Sequence, residues 1–245
     1  MLNKGPLALI DADIFLYEAS SVTEHAFDYG NDNWVMHSNL AEAKNLFINM
    51  VEQVGKDLKT DRALFAISSS GNFRKELSDT YKSQRKATRK PLIFPELKTW
   101  VQETFPCITY PMLEADDVLG ILATKPNIDE QRIIVSTDKD LQTIPGYLWR
   151  KGALVYITPE EAKRFWLTQT LTGDPTDGYK GCPGIGPVSA QKILGTMPDY
   201  GAVEMAFMKA GLTKEDCLLQ ARFARILHWD DWDHDKQEVK LWEPR

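Results

Sequence analysis

The placement of acidic residues constrains the fold of this 245-residue chain more than any other feature. Nine carboxylates form five short clusters, each where a buried strand is predicted to end: Asp11 and Asp13; Glu114, Asp116 and Asp117; Asp138 and Asp140; Asp174; and Asp177. Carboxylates gathered in this way repel one another unless a cation neutralises them. Hard divalent cations take oxygen ligands, and Mg²⁺ is typically held by a few carboxylates plus phosphate oxygens. The pattern therefore predicts a metal site for phosphoryl chemistry.

Strands and helices are predicted to alternate through the first two thirds of the chain. Short apolar runs at 7–10, 63–67, 108–110 and 132–135 read as strands. Apolar residues at helical spacing predict a helix over 39–58, and further helices are expected from Pro95 and near Glu114. Such alternation is typical of an α/β fold with a mostly parallel sheet flanked by helices, which binds ligands at the carboxyl ends of its strands.

The last third of the chain is predicted to be mainly helical. A capping box begins at Thr158, with proline at the first helical position, so a new helix starts there. Helices are expected up to about Trp229, followed by an edge strand over 238–242. We expect an α/β core over residues 1–155 and a helical, DNA-binding subdomain over 156–245.

Composition narrows the class of protein but does not identify it. Apolar residues make up 43% of the chain, which excludes a disordered protein. The net charge of −6 looks unfavourable for binding nucleic acid, yet basic residues outnumber acidic ones once the nine clustered carboxylates are set aside. Three widely spaced cysteines argue against a disulfide framework or a zinc site. No apolar stretch approaches the roughly 20 residues that span a membrane. These features predict a soluble, intracellular protein.

Two further segments have the chemistry of nucleic-acid contacts. Residues 74–90 carry seven basic side chains with Tyr81 among them, and they are predicted to cross the mouth of the acidic site. A charge run is usually a solvated face, but here phosphate steering and base stacking are favoured. The glycine-rich turn 181–186 enters a helix at Pro187, whose free N–H groups suit a phosphate. Because this turn does not follow a strand, we favour contact with a DNA backbone over dinucleotide binding.

These segments together resemble the flap-endonuclease-like 5′→3′ nucleases, and most closely the short bacteriophage 5′→3′ exonucleases. The matching stretches occur in family order: residues 10–13, 73–77, 81–86, 111–117, 136–140, 173–178 and 181–186, with the tail around 224–227 and 241–242. The resemblance implies a PIN-like core, a basic arch at about 74–94 and a helix-hairpin-helix at about 176–194. It also implies a phage protein that acts in the host cytoplasm.

The resemblance also implies roles for particular residues. It assigns metal binding to the acidic clusters: Asp11, Glu114, Asp116, Asp117, Asp138, Asp140, Asp174 and Asp177, with Asp13 in support. It assigns Lys82 and Arg85 to catalysis. The expected DNA contacts are Arg74, Tyr81, Lys86, Arg89, Lys90, Gly184, Gly186 and Lys192. Two Mg²⁺ ions are expected, replaceable by Mn²⁺, and K⁺ is expected at the hairpin near 181–186.

One departure from the family pattern concerns the metal site. Relatives usually carry an aspartate after the second strand, where this chain has Ser68, Ser69 and Ser70. Serine hydroxyls supply no charge, so either Asp13 compensates or metal affinity is reduced. A DNA-binding relative with a decayed metal site is therefore one alternative.

The function implied by the resemblance is metal-dependent 5′→3′ exonuclease activity on duplex DNA. Flap cleavage, RNA-primer removal and binding of RNA–DNA hybrids are compatible with it, and a monomer is expected. A different enzyme class, a haloacid-dehalogenase-like phosphatase, would also place Asp11 and Asp13 after a strand. That class expects Thr or Val where Phe15 stands, and it gives no account of residues 114–117 or the glycine-rich turn.

Overall fold

The computed structural model describes residues 5–83 and 89–244, and a six-stranded sheet lies at its centre. Its strands are β1 (Leu7–Asp11), β4 (Ala63–Ala66), β5 (Cys107–Ile108), β6 (Arg132–Val135), β7 (Gly146–Arg150) and β8 (Ala153–Ile157). Their order in the sheet is β5-β4-β1-β6-β7-β8, and all neighbours are parallel except the antiparallel pair β7–β8. The predicted mostly parallel sheet is confirmed.

Helices cover both faces of this sheet. They are α1 (Ala12–Val22), α2 (Leu40–Leu58), α3 (Phe73–Leu77), α4 (Phe94–Thr104) and α5 (Ala115–Ala123). Side chains alternate along β1, so that Ala8 and Ile10 pack in the core with α1, α2 and α4, whereas Leu9 packs in the core with α5. The side chain of Asn39 accepts hydrogen bonds from backbone N–H groups at the start of α2, where the predicted helix begins.

Four helices follow the sheet, and they pack around a third set of buried apolar residues. They are α6 (Pro159–Thr172), α7 (Pro187–Leu194), α8 (Tyr200–Lys209) and α9 (Lys214–Ala224). The capping box predicted at Thr158 is present, formed with Glu161. None of the helices within residues 5–83 and 89–244 combines the length and apolar character needed to span a bilayer.

Several elements differ from the sequence-based predictions. The hairpin of β2 (Glu24–Asp28) and β3 (Trp34–Ser38) was not predicted, nor was the hairpin formed by β7 and β8. The last α-helix ends at Ala224, before Trp229, and a short 3₁₀ helix follows at Trp229–Asp231. The last strand is only the two residues of β10 (Glu238–Val239), and it pairs with β9 (Trp232–Asp233) instead of extending the main sheet.

Candidate metal and nucleic-acid site

A cleft of about 600 Å³ lies at the carboxyl ends of the central strands, where the sequence placed the metal site. Eight of the nine clustered carboxylates line it: Asp11, Asp13, Glu114, Asp116, Asp138, Asp140, Asp174 and Asp177. Asp11 is the last residue of β1, and Asp138 follows the neighbouring strand β6. Glu114 is the residue that immediately precedes α5, and Asp116 lies in the first turn of that helix. The fold therefore brings together acidic residues that are up to 166 positions apart in the chain.

Hydrogen bonds from neighbouring strands and loops hold several of these carboxylates. Asp11 accepts from Ser136 Oγ at 2.9 Å, and its other oxygen accepts from the backbone N–H of Ile14 at 3.4 Å. Asp13 accepts from the backbone N–H of Ser68 at 3.1 Å. Asp138 accepts from the backbone N–H of Asp140 at 2.8 Å. The acidic side chains are thus positioned by short local contacts together with contacts across the sheet edge.

Burial and mutual repulsion raise the pKa values of several acids in the cleft. Burial, assisted by the charge of Asp13, raises the pKa of Asp11 to about 7. Burial and the charge of Asp11 raise the pKa of Asp116 well above its usual range. Burial and the charge of Asp138 raise the pKa of Asp140 to about 6. Each of these shifts disfavours the ionised carboxylate, and a cation placed among these acids would stabilise it.

A pH dependence of stability follows from these shifts. The pKa of Asp11 is about 7 in the folded protein against 3.8 for the free side chain, so between these values the folded state binds more protons than the unfolded state. In EDTA the free energy of unfolding is therefore expected to fall by about 2–3 kcal/mol between pH 5 and pH 7. Urea unfolding across this range measures it. In Mg²⁺, or in Asp11→Asn, the slope should become shallower, and a flat profile for the wild type in EDTA would contradict the prediction.

Lys82 contacts two carboxylates of the cleft directly. Its Nζ lies 2.7 and 2.9 Å from the two oxygens of Glu114 and 3.5 Å from Oδ2 of Asp177. Burial alone would raise the pKa of Glu114, but the charges of Lys82 and Arg74 outweigh it and hold that pKa below its usual value. The predicted catalytic lysine thus lies in the cleft, whereas Arg85, also predicted to be catalytic, lies outside the described residues.

A compact turn presents the remaining two carboxylates, Asp174 and Asp177. Gly173 and Gly181, both with positive φ, approach so closely that a Cβ on Gly181 would lie 2.3 Å from the backbone nitrogen of Gly173. Only glycine fits this contact, which closes the turn. Lys139 donates to Asp174 at 2.8 Å from the loop after β6. The two acids therefore reach the cleft from the chain that follows α6.

Asp117 differs from the other eight clustered acids, because it does not line the cleft. Its two carboxylate oxygens accept from the guanidinium of Arg74 at 2.7 and 2.8 Å, and the Asp117 residue has 0% of its surface exposed. The backbone N–H of Leu227 donates to it as well, at 3.2 Å. The structure therefore contradicts a metal-binding role for Asp117 and assigns it to a buried ion pair.

Two of the predicted DNA contacts are also corrected. Arg74 is 3% exposed, and its guanidinium donates hydrogen bonds to Asp117 and to the backbone carbonyls of Phe223 and Arg225. Tyr81 is also 3% exposed; it stacks on Phe223 and donates from its hydroxyl toward Glu114 and Asp177. Neither side chain is available to a nucleic acid, because both are packed beneath the cleft.

The other predicted DNA contacts are exposed where they are described. Arg89 pairs with Glu24 while remaining half exposed, and Lys90 lies over the ring of Phe94. Gly184 and Gly186 are exposed at the start of α7, and Lys192 is exposed in its last turn. Lys86 lies outside the described residues.

The acids do not close around a single point. Within residues 5–83 and 89–244, no group of three His, Cys, Asp or Glu side chains lies at metal-holding spacing. The donor set nevertheless fits hard divalent cations, because it consists of carboxylates, and burial together with neighbouring acids raises the pKa values of three of them, Asp11, Asp116 and Asp140.

Ser68 and two polar residues that sequence reasoning missed also contribute to the site. Ser68 Oγ accepts from the backbone N–H of Ala115 at 2.9 Å, so it fixes the start of α5 beside Asp13. Ser136 holds Asp11, and Gln169 of α6 holds Asp140. Ser136 directly follows a predicted strand and was a candidate by position, whereas nothing in the sequence marks Gln169.

Comparison with known proteins identifies the family. A family model described as the N-terminal resolvase-like domain of 5′-3′ exonucleases matches residues 6–160. The chain is 32% identical to the exodeoxyribonuclease of Enterobacteria phage T3 and 31% identical to the exonuclease of Escherichia phage T7; in both cases 99% of this chain and 94% of the relative are covered.

A solved structure shares the fold. The flap endonuclease of bacteriophage T5, in a complex with DNA and metal ions, superposes with a TM-score of 0.65 at 14% identity, covering 89% of this chain and 88% of that one. The family model, the relatives and the fold agree. The chain belongs to the 5′-3′ exonuclease family.

Proposed function

We propose that this family member is a divalent-metal-dependent exodeoxyribonuclease that hydrolyses phosphodiester bonds from the 5′ end of duplex DNA. The observation that carries the proposal is the cleft itself, in which eight carboxylates and Lys82 face one another at the carboxyl ends of parallel strands. A site of that composition suits phosphate-bearing substrates only when cations are present, because carboxylates alone repel phosphate. The names of the T3 and T7 relatives support the same reaction.

Two Mg²⁺ ions are the proposed cofactor, and Mn²⁺ is expected to substitute. Asp11, Asp116 and Asp138 would serve one ion and Asp140, Asp174 and Asp177 the other, with Asp13 and Glu114 beside them. Ions of this kind supply Lewis acidity and lower the pKa of water when bound. The metal ions named for the T5 structure of the same fold support this part of the proposal.

The protein's own contribution to the reaction is orientation and charge. Lys82 is held against Glu114 and Asp177, so its ammonium group is in place to offset negative charge on a phosphate that enters the cleft. Ser136 and Ser68 hold Asp11 and Asp13 by donating hydrogen bonds, which keeps their oxygens in the cleft. Arg85 is proposed to assist Lys82.

The helical part of the chain, residues 156–245, is proposed to bind the duplex next to the cleft. Gly184 and Gly186 are exposed at the start of α7, where free backbone N–H groups suit phosphate, and Lys192 is exposed in the last turn of the same helix. K⁺ is proposed at 181–186. Arg89 and Lys90, with Lys86, are proposed to guide the strand from the other side. The protein is proposed to act as a monomer in the host cytoplasm, and RNA–DNA hybrids are proposed as further substrates.

Digestion of a 5′-labelled duplex tests the proposed function. In Mg²⁺ we expect rapid release of short labelled products, whereas the same duplex labelled at its 3′ end should shorten gradually. EDTA should stop both. Cleavage is also expected to weaken steeply with salt, because several phosphates are contacted. DNA binding without cleavage in either Mg²⁺ or Mn²⁺ would refute the exonuclease assignment, and hydrolysis of a small chromogenic phosphate ester alone would favour a phosphatase.

A further inference from the structure

A glutamine from the helical part of the chain reaches one of the carboxylates in the cleft. Gln169, in the last part of α6, donates from Nε2 to Oδ1 of Asp140 at 2.6 Å. The residue is 7% exposed, so this hydrogen bond is shielded from water. Asp140 opens the 3₁₀ turn Asp140–Thr143, which packs against α6.

We infer that Gln169 is a positioning residue for the metal site, and that it sets the orientation in which Asp140 meets a divalent cation. The inference rests on the proposed metal-dependent function. One oxygen of Asp140 is taken by the amide, so the other is the oxygen that faces a ligand. A carboxylate fixed at one oxygen loses less conformational freedom when it binds an ion.

The type of donor distinguishes Gln169 from the two lysines that contact carboxylates of this cleft. Glu114 and Asp174 are each contacted by a lysine, Lys82 and Lys139 respectively, which neutralises part of their charge. Gln169 is uncharged, so it orients Asp140 while leaving its negative charge intact. Asp140 therefore keeps the full electrostatic attraction that a cation requires.

The second polar atom of Gln169 argues that packing alone does not explain this residue. Its Oε1 is buried, and no group within the described residues donates a hydrogen bond to it. A buried acceptor without a donor costs about 1–3 kcal/mol, which an apolar side chain of the same length would avoid. A methionine at this position would therefore suit the buried environment better, but it would leave Asp140 without its donor.

Titration with Mn²⁺ in the absence of DNA tests the inference without relying on catalysis. Isothermal calorimetry, with electron paramagnetic resonance to count free Mn²⁺, should show one ion bound about 10- to 100-fold more weakly by Gln169→Met and by Gln169→Leu than by wild type. Two variants are used so that a folding defect in one leaves the test open. The matched control is Gln53→Met, which removes an amide that donates to Asp57 at 2.8 Å on α2, away from the cleft; its Mn²⁺ affinity should equal that of wild type.

A double-mutant cycle then asks whether Gln169 acts through Asp140. In an Asp140→Asn background, Gln169→Met is expected to change the remaining Mn²⁺ affinity by less than twofold, because its target carboxylate is gone. Equal affinity of wild type and both Gln169 variants, or additive losses in the cycle, would overturn the inference while leaving the proposed function intact. Failure of wild type itself to bind Mn²⁺ would overturn the proposed function as well.

Discussion

Asp116→Asn is expected to lower kcat/KM for a 5′-labelled duplex by at least about 100-fold in Mg²⁺ while leaving the protein folded. Asp116 lines the cleft, and burial together with the charges of Asp11 and Asp138 raises its pKa. The amide keeps the shape of the side chain but removes one negative charge from the cation-binding set. Initial rates of product release, measured below saturation, give the ratio directly.

The same substitution should affect stability in the opposite sense to activity. Because the carboxylate of Asp116 is repelled by its neighbours, its neutralisation is expected to leave the free energy of unfolding in EDTA unchanged or slightly higher. Asp129→Asn is the matched control, since Asp129 is exposed and lies outside the cleft. Wild-type cleavage by Asp116→Asn would refute the proposed site, and loss of cleavage in Asp129→Asn would show that the assay responds to charge in general.

Much of this site could be predicted from the chain because its signals are local. A buried strand reveals itself as an apolar run, and in a parallel sheet its end is a place for ligands, so Asp11 and Asp138 were correctly located at neighbouring strand ends. The capping box of Thr158 and Glu161 likewise depends on residues only three positions apart. Such features depend on neighbours in the sequence and need no knowledge of tertiary contacts.

Tertiary contacts explain the predictions that failed. Asp116 and Asp117 are adjacent in the chain, yet only Asp117 meets Arg74, which arrives from α3, 43 positions earlier. Helical spacing places Glu114 and Asp117 on the same face of the helix, but it does not reveal that the guanidinium of Arg74 is buried against Asp117. Tyr81 was misjudged for the same reason, because its burial depends on Phe223 from α9.

The unpredicted hairpin of β2 and β3 has a different cause. Phe27, Trp34, Val35 and Met36 are all at least 37% exposed, so the hairpin has no buried face. Strand prediction relies on an alternation between buried and exposed residues, and a ribbon exposed on both faces does not produce one. Gln169 was missed because a single polar residue in a helix carries no pattern at all.

The largest effect on stability is expected from Arg74 and Asp117. Either Arg74→Met or Asp117→Asn should lower the free energy of unfolding by about 3–5 kcal/mol, because each leaves the charged group of the other residue buried without its ionic partner. The pair also joins α3 and α5 to the end of α9 through the carbonyl of Phe223, and to the segment after α9 through the carbonyl of Arg225 and the N–H of Leu227. Its loss therefore loosens the contact between the sheet and the last helices. Urea unfolding at pH 7 in EDTA measures the change.

Two comparisons separate this buried pair from ordinary surface charge. Lys56→Met removes the exposed partner of Glu52, at 3.8 Å, and should change the free energy of unfolding by less than about 1 kcal/mol. In the double variant Arg74→Met with Asp117→Asn, neither member of the pair leaves a charge without its partner, so the loss should be smaller than the sum of the two single losses. A loss in Asp117→Asn no larger than that in Lys56→Met would contradict the structural role. If Asp117→Asn instead abolished Mn²⁺ binding in a fully stable protein, Asp117 would be restored as a metal ligand.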